Sequence, residues 1–305
     1  MEELLEELVA ECRGFTENGQ VANYIPELSK VDPHQLGIYV INSDGRNFCA
    51  GDWDKKFTIQ SIIKPILLLQ ALMDNGIEKV RSQIGVEATG KPFDAINYSD
   101  QALLSEHLNP MVNMGAIKMC TMISGESPQR RLERVLELTR CLAGNPMIQI
   151  DENIYHSEKQ SGNKNRALAY LLKSQGMIQD DVEELLDCYF QACSIQVDCK
   201  DLAHIGYVFS NRGKTLNENA PLFDSHYAKY VNAILVTCGM YDGSGDFAIK
   251  VGVPAKSGVG GGIMAAVPTR MGIGIYSPSL DHKGNSIAGV ELLHKLSARL
   301  YLSIF

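Results

Sequence analysis

The residues best placed to do chemistry are Ser61 and Lys64, a hydroxyl and an amine three positions apart in the run Ser61-Ile62-Ile63-Lys64. On a helix that separation puts both side chains on one face, within reach of a proton transfer from hydroxyl to amine. The amine must be neutral to act as a base, and Ile62, Ile63, Ile66 and Leu67 could supply the desolvation that strips its proton. The chemistry would be nucleophilic attack on an acyl group. A second stretch, Lys256-Ser257-Gly258-Val259, runs into Gly260-Gly261-Gly262, where backbone can approach a ligand closely. An N–H there could pair with that of Ser61 as an oxyanion hole. Each piece alone is unspecific. Ser61 and Lys64 also suit a helix-capping serine with a snorkelling lysine, and the glycines suit a plain turn. Ser161 and Lys164 repeat the spacing in polar, loop-like surroundings.

Joined in this order, SxxK and a strand-borne KSG form the penicillin-recognising pattern of serine nucleophile, lysine base and second lysine. The combination is far more specific than its parts. Gly85 to Lys91 matches a phosphate-binding loop up to its lysine, but Pro92 stands where a magnesium-holding hydroxyl is required. No GxSxG elbow or GxGxxG fingerprint occurs.

The elements that would carry these residues can be read from periodicity. Leu4, Leu5, Leu8, Val9 and Cys12 predict an amphipathic first helix. Leu36 to Ile41, a turn at Asn42-Ser43-Asp44-Gly45, and Asn47 to Gly51 predict a hairpin. Ser61 opens a buried helix that Gly76 should stop, leaving the serine at a helix N-terminus where developing negative charge is favoured. Helical spacing follows over Ser127–Ala143, Asn165–Lys173, Val182–Cys193 and Leu202–Asn211. Phe247–Val251, Gly262–Val267 and Met271–Tyr276 read as strands, and Val290–Leu302 as a closing helix. The expected fold is therefore α+β: an antiparallel sheet built from N- and C-terminal segments, flanked by helices, with a mostly helical inserted domain. The expected division is 1–60 plus 241–305 for the sheet-containing domain and 61–240 for the helical one, with the site between them.

Composition narrows the function. At 45% apolar and 21% charged residues, the chain has the balance of an ordinary globular protein. A formal charge of -8 without a run of like charges lacks the footprint of a nucleic-acid partner. The longest apolar stretch, Pro65 to Met73, is far short of the ~20 residues that span a bilayer. The acidic first helix is unlike a signal peptide, so a cytoplasmic location is expected. The eight cysteines include no CxxC, and the seven histidines no HExxH, so reduced thiols and no metal site are expected.

Over nearly its whole length the chain resembles the serine-dependent glutaminases of the β-lactamase-like superfamily. The blocks that carry the resemblance are Val21 to Pro26, Gly51-Asp52 ahead of Phe57 to Lys64, Asn109 to Ala116, Ser157-Glu158 with Asn165-Arg166-Ala167, Thr237 to Tyr241, and Pro254 to Val259. The resemblance implies Ser61 as nucleophile and Lys64 as its partner, with Tyr189 and Tyr241 relaying protons and touching substrate. It further implies that Asn113, Glu158 and Asn165 hold the amino-acid head group, that the Val259 N–H completes the oxyanion hole, and that Tyr24 closes over the pocket. The reaction implied is hydrolysis of L-glutamine to L-glutamate and ammonia through a Ser61 acyl-enzyme, deprotonated by Lys64 or a tyrosinate, with no cofactor. A dimer or tetramer is the family's usual assembly. A glutamine-shaped site is chemically sensible here: Glu158 suits an ammonium, and asparagine amides with a tyrosine hydroxyl suit a carboxylate. Without the family, Glu158 reads as a solvated helix charge, the asparagines as caps, and Tyr189 as core. Ile63 stands where the family has a small Ser or Cys, and Met114 where it has Ala. Two other functions stay open: another serine amidohydrolase of this fold, such as a β-lactam or peptide hydrolase, and a catalytically weak glutamine sensor.

Overall fold

The computed structural model describes residues 1–90, 92, 94–95, 108–216 and 220–305. Helix α1 (Glu2–Cys12) buries Leu5, Leu8, Val9 and Cys12 as its spacing predicts. Strands β1 (Gly37–Asn42) and β2 (Asn47–Gly51) form the expected hairpin. Its turn is closed by the Asn42 side-chain oxygen, which accepts from the Asp44 N–H at 3.1 Å and the Arg46 N–H at 2.9 Å. A two-residue strand β3 (Phe57–Thr58) leads to a tight turn at Gln60–Ile63 and then to helix α2 (Lys64–Arg81). The predicted stop at Gly76 is a break inside that helix, with φ +78, after which helix resumes.

The middle of the chain is helical: α3 (Asn113–Met122), α4 (Pro128–Ala143), α5 (Glu152–Ser161), α6 (Asn163–Ser174) and α7 (Val182–Cys193). Ser127 caps α4 by accepting from the Arg130 N–H, and Gly144 ends it in the left-handed region. Strand β4 (Gln196–Val197) pairs with β3, and α8 (Cys199–Ser210), α9 (Ser225–Cys238) and α10 (Ser244–Lys250) follow. Strands β5 (Ala255–Ser257), β6 (Gly262–Val267) and β7 (Met271–Tyr276) precede the last helix, α11 (Ile287–Leu300).

One expected strand is a helix. Phe247 to Val251 forms the end of α10 and its cap. In a strand, positions 247, 249 and 251 would share a face; instead Phe247 and Val251 are buried, four apart, while Ile249 is 90% exposed.

The main sheet is wholly antiparallel in the order β2-β1-β7-β6-β5, so the N-terminal hairpin lies beside the C-terminal strands. Alternation divides its residues between two cores. Ile38, Val40, Ile263, Ala265, Ile273 and Ile275 pack with α1 and α11. Tyr39, Ile41, Met264, Ala266 and Tyr276 face the larger core built with the middle helices. Each large side chain so buried contributes about 1.5–3 kcal/mol relative to exposure.

Helix α8 lies directly on the sheet, backbone against backbone. A Cβ added at Gly274 would sit 2.0 Å from the Cys199 carbonyl oxygen, and one at Gly272 2.1 Å from that of Ala203. Because those neighbours are main-chain atoms, the clash cannot be relieved by a rotamer change. Gly274→Ala is therefore expected to lower stability in urea unfolding by about 3 kcal/mol. Gly14→Ala, where nothing lies within 4 Å, should stay within about 0.5 kcal/mol.

Candidate active site

Ser61 sits in a 3-10 turn rather than on the first turn of an α-helix. The tighter winding eclipses positions i and i+3, so it aligns Ser61 with Lys64 more closely than the expected α-helix would. The Lys64 N–H closes the turn on the Ser61 carbonyl. The turn is entered through a fixed point: the Ile59 N–H donates to the Ile195 carbonyl at 2.8 Å, and Gln60 adopts φ +48. The glycine-rich loop lies against it. A Cβ at Gly258 would come 2.8 Å from the Ile59 oxygen and one at Gly260 2.6 Å from the Thr58 oxygen, which holds Val259 beside Ser61.

Lys64 has no exposed surface. Its Nζ donates to Asn113 Oδ1 at 2.7 Å and to the Met111 carbonyl at 3.2 Å. Burial pulls its pKa down to about 8, against the opposing pull of the anionic forms of Cys193 and Glu158. Asn113 is itself held, its Nδ2 donating to Asn165 Oδ1 at 2.8 Å. The loop before it is pinned by Gly115, where a Cβ would fall 2.0 Å from the Asn109 oxygen.

Glu158 on α5 is 6% exposed, the reverse of the solvated charge that its context suggests. Burial pushes its pKa up to about 8, although hydrogen bonds from the Gln60 amide, at 3.4 Å, and from the Cys193 thiol favour the charged form. Tyr189 and Cys193, one turn apart on α7, bond to each other beside it, and desolvation raises the Tyr189 hydroxyl well above the phenol range. Tyr241, at φ +55, is likewise raised by burial, while the neighbouring Ser61 hydroxyl and Val259 N–H pull the other way. Tyr24 exposes 52% of its surface, but desolvation, followed by the charges of Tyr241 and Glu158, raises its hydroxyl, which places that end toward the site.

Tyr24, Ser61, Asn113, Glu158, Asn165 and Tyr189 line one cavity of about 420 Å³. Lys64 lies beneath it, and Tyr241 and Val259 line adjoining clefts, with the Tyr241 hydroxyl between Ser61 and the Val259 N–H. Six of the candidates thus share one cavity, with Lys64, Tyr241 and Val259 around it. Several contributors were not singled out from the sequence: Gln60 and Cys193 line the cavity, as do Asp242, His282 and Lys283. The α7 spacing of Cys193 from Tyr189 was a legible signal; the positive φ of Gln60 was not. Ile63 and Met114 are buried in the core and do not line the cavity. Of the second SxxK, Ser161 bonds the Ser157 carbonyl and Lys164 pairs with Asp94 at 2.6 Å at the cavity rim. Lys91 of the phosphate-loop look-alike lies outside the described residues. Six of the eight cysteines are buried. Among the described residues no group of three His, Cys, Asp or Glu could hold a metal, and no helix is long and apolar enough to cross a membrane.

An antiparallel sheet of both chain ends, flanked by helices, with Ser-x-x-Lys running into a buried helix and a glycine-rich loop beside it, is the β-lactamase-like class of fold. A family model described as Glutaminase matches residues 19–305. A glutaminase of Clostridium tetani (strain Massachusetts / E88) is 52% identical over 305 residues, all of both chains. A probable glutaminase from Bacillus subtilis, solved in complex with 6-diazo-5-oxo-L-norleucine, is 40% identical, with TM-score 0.91 over all of this chain and 97% of that one. The structure of Mglu in its tris and glutamate form is 36% identical, with TM-score 0.94 over all of this chain and 67% of that one. The chain belongs to the glutaminase family.

The Glu158 burial has a stability signature. Folded, this carboxyl keeps its proton to about pH 8; its ordinary value is 4.5. Between those limits the folded state binds more protons than the unfolded state, so stability falls as pH rises through the window. Glu158→Gln removes that loss. It should exceed the wild type by a few kcal/mol, on the order of 3, in urea unfolding at pH 8 and match it near pH 4.5. Equal stability of the two proteins at pH 8 would contradict a buried, proton-holding Glu158.

Proposed function

We propose that this glutaminase acts through Ser61, hydrolysing the side-chain amide of L-glutamine to L-glutamate and ammonia by way of a γ-glutamyl ester. The observation that carries the reading is the desolvated Lys64 amine, with a pKa near 8, three residues from a Ser61 that lies beside the Tyr241 hydroxyl. The magnitudes choose the base. Tyr241 and Tyr189 are pushed above the phenol range, so near neutral pH they are proton donors, whereas Lys64, at about 8, gives up its proton just above neutral pH.

In the acylation step Ser61 Oγ attacks the substrate Cδ and its proton passes to Lys64 Nζ. The carbonyl oxygen becomes an oxyanion that the Ser61 and Val259 N–H groups are positioned to receive. Collapse breaks the C–N bond, and a proton from Tyr241 or the Lys64 ammonium leaves with ammonia. Water then attacks the ester by the same route, regenerating Ser61. Glu158 takes the substrate ammonium and Asn113, Asn165 and Tyr189 its carboxylate, with Tyr24 over the mouth. The glutamine-analogue and glutamate ligands of the two similar structures support this substrate.

Ile63 and Met114, the departures from the family that would favour a sensor, are buried in the core away from the cavity. By family resemblance we further read the chain as a cytoplasmic homo-oligomer, dimer or tetramer. We read its division as a sheet-bearing part, 1–60 with 241–305, and a mostly helical part, 61–240.

The test is ammonia release from L-glutamine, with L-asparagine and D-glutamine alongside, by the wild type and Ser61→Ala. Glutamine turnover that falls at least about 10⁴-fold in the folded variant supports Ser61 as nucleophile. Undiminished turnover in Ser61→Ala would overturn it. Because both Glu158 and Lys64 must lose protons in the free enzyme, log kcat/KM should climb with a slope approaching 2 below about pH 8. In Glu158→Gln that slope should fall toward 1.

A further inference from the structure

Lys256 is the one chemistry-bearing residue of the sequence patterns that the reaction leaves unused. It has no exposed surface and is not among the residues lining the cavity. The strand-borne lysine of the penicillin-recognising pattern therefore does not face the substrate space here. Its Nζ instead donates to the Ser257 carbonyl at 2.6 Å and lies 4.2 Å from the centroid of the Tyr241 ring.

The fold forces this meeting. A Cβ at Gly239 would sit 1.8 Å from the Ala255 oxygen, and the Ser257 N–H donates to the Gly239 carbonyl at 3.2 Å. The end of α9 is thus locked against β5, and Tyr241, two residues past Gly239, is delivered onto Lys256. The Tyr241 backbone is fixed as well: Ser244 Oγ donates to its carbonyl at 2.8 Å and accepts from the Met240 N–H at 3.0 Å. What remains to be set is the plane of the ring, and that plane decides where the hydroxyl points.

We propose that Lys256 is a positioning residue for the reaction: its buried amine, anchored on the Ser257 carbonyl, braces the Tyr241 ring and so aims the Tyr241 hydroxyl at Ser61. The inference rests on the reading of Tyr241 as a proton donor at Ser61. An N–H over an aromatic face is drawn to the negative quadrupole whether the nitrogen is charged or neutral. Burial, and then the charge of Lys64, push Lys256 well below the usual lysine range toward the neutral amine. A neutral amine braces the ring without placing a second full charge in the desolvated core beside Lys64.

The experiment is a double-mutant cycle on the full chain with Lys256→Met, Tyr241→Phe and the pair, reading kcat and KM for L-glutamine. Lys256→Met keeps the bulk of the side chain and removes the N–H groups. It should lower kcat about 10²-fold, the cost of a misaimed catalytic group, and leave KM within about threefold. In the Tyr241→Phe background the same change should alter kcat by less than about twofold, because the two residues act as one. An unchanged kcat in Lys256→Met overturns the proposal, as does an equal loss in both backgrounds or a loss confined to KM. If Lys256→Met does not show a cooperative melt, Lys256→Leu, which likewise lacks N–H donors, is measured in both backgrounds with the same criteria. Tyr241→Phe with wild-type turnover would instead overturn the Tyr241 reading itself, and the inference with it.

Discussion

A lysine with no exposed surface is the constraint around which this molecule is arranged. An ammonium removed from water costs several kcal/mol unless it is paired or gives up its proton. Lys64 does neither completely. Its pKa settles near 8 because burial is partly offset by the charges of Cys193 and Glu158, while its N–H groups are taken up by two oxygen acceptors. Those acceptors have to be held still. Asn113 is held by Asn165, while the Met111 N–H donates to Asn109 Oδ1 at 2.8 Å in a loop that Gly115 allows to close on itself. Asparagines that read as caps in the sequence are thus supports for one buried amine.

The same economy of space governs the other wall. The 258–261 loop reaches the Ser61 turn only because positions 258 and 260 lack side chains, and its strands stay in place because α8 lies flush on the sheet over Gly272 and Gly274. Backbone-to-backbone approach serves stability at the sheet and, in the proposed reaction, the oxyanion at the loop. A methyl group at either place acts on different readouts: at the sheet it opens the core, and at the loop it moves an N–H away from the reacting atom.

Much of this was legible where periodicity and punctuation agree. The hairpin, α4, α7 to the residue, and strands β6 and β7 all fall where the pattern puts them. The failures have physical causes. Helix α3 buries Asn113, Met114, Gly115, Ala116 and Ile117 in succession, so it offers no amphipathic stripe to read. Helix α5 has the opposite fault, burying only Tyr155 and Glu158. Phe247 to Val251 is β-branched in composition but helical in which residues it buries. For the site, residue types and order singled out Ser61, Lys64 and the glycine-rich loop, and the other candidates came from the family resemblance; burial of Glu158, the 3-10 winding at Ser61 and the positive φ of Gln60 depend on segments far apart in sequence.

That left-handed backbone carries the last step of the argument. Among described non-glycine residues with positive φ, Gln60 and Tyr241 flank the same hydroxyl. Each costs on the order of 1 kcal/mol and persists only where its surroundings over-determine it. Gln60 is held on one side by the Ile59–Ile195 bond and on the other by its amide, which donates to Thr58 and Glu158. Tyr241 is held by Ser244 and by the contact with Lys256. Neither conformation would survive in a loop free to relax. Two cores, one on each face of the sheet, provide the stability that offsets this strain, and the helices bearing Asn113, Glu158 and Tyr189 grow out of the larger one. The strain therefore has a direction: it turns the Gln60 amide toward Glu158 and the Tyr241 hydroxyl toward Ser61, so that the groups meet before any substrate arrives.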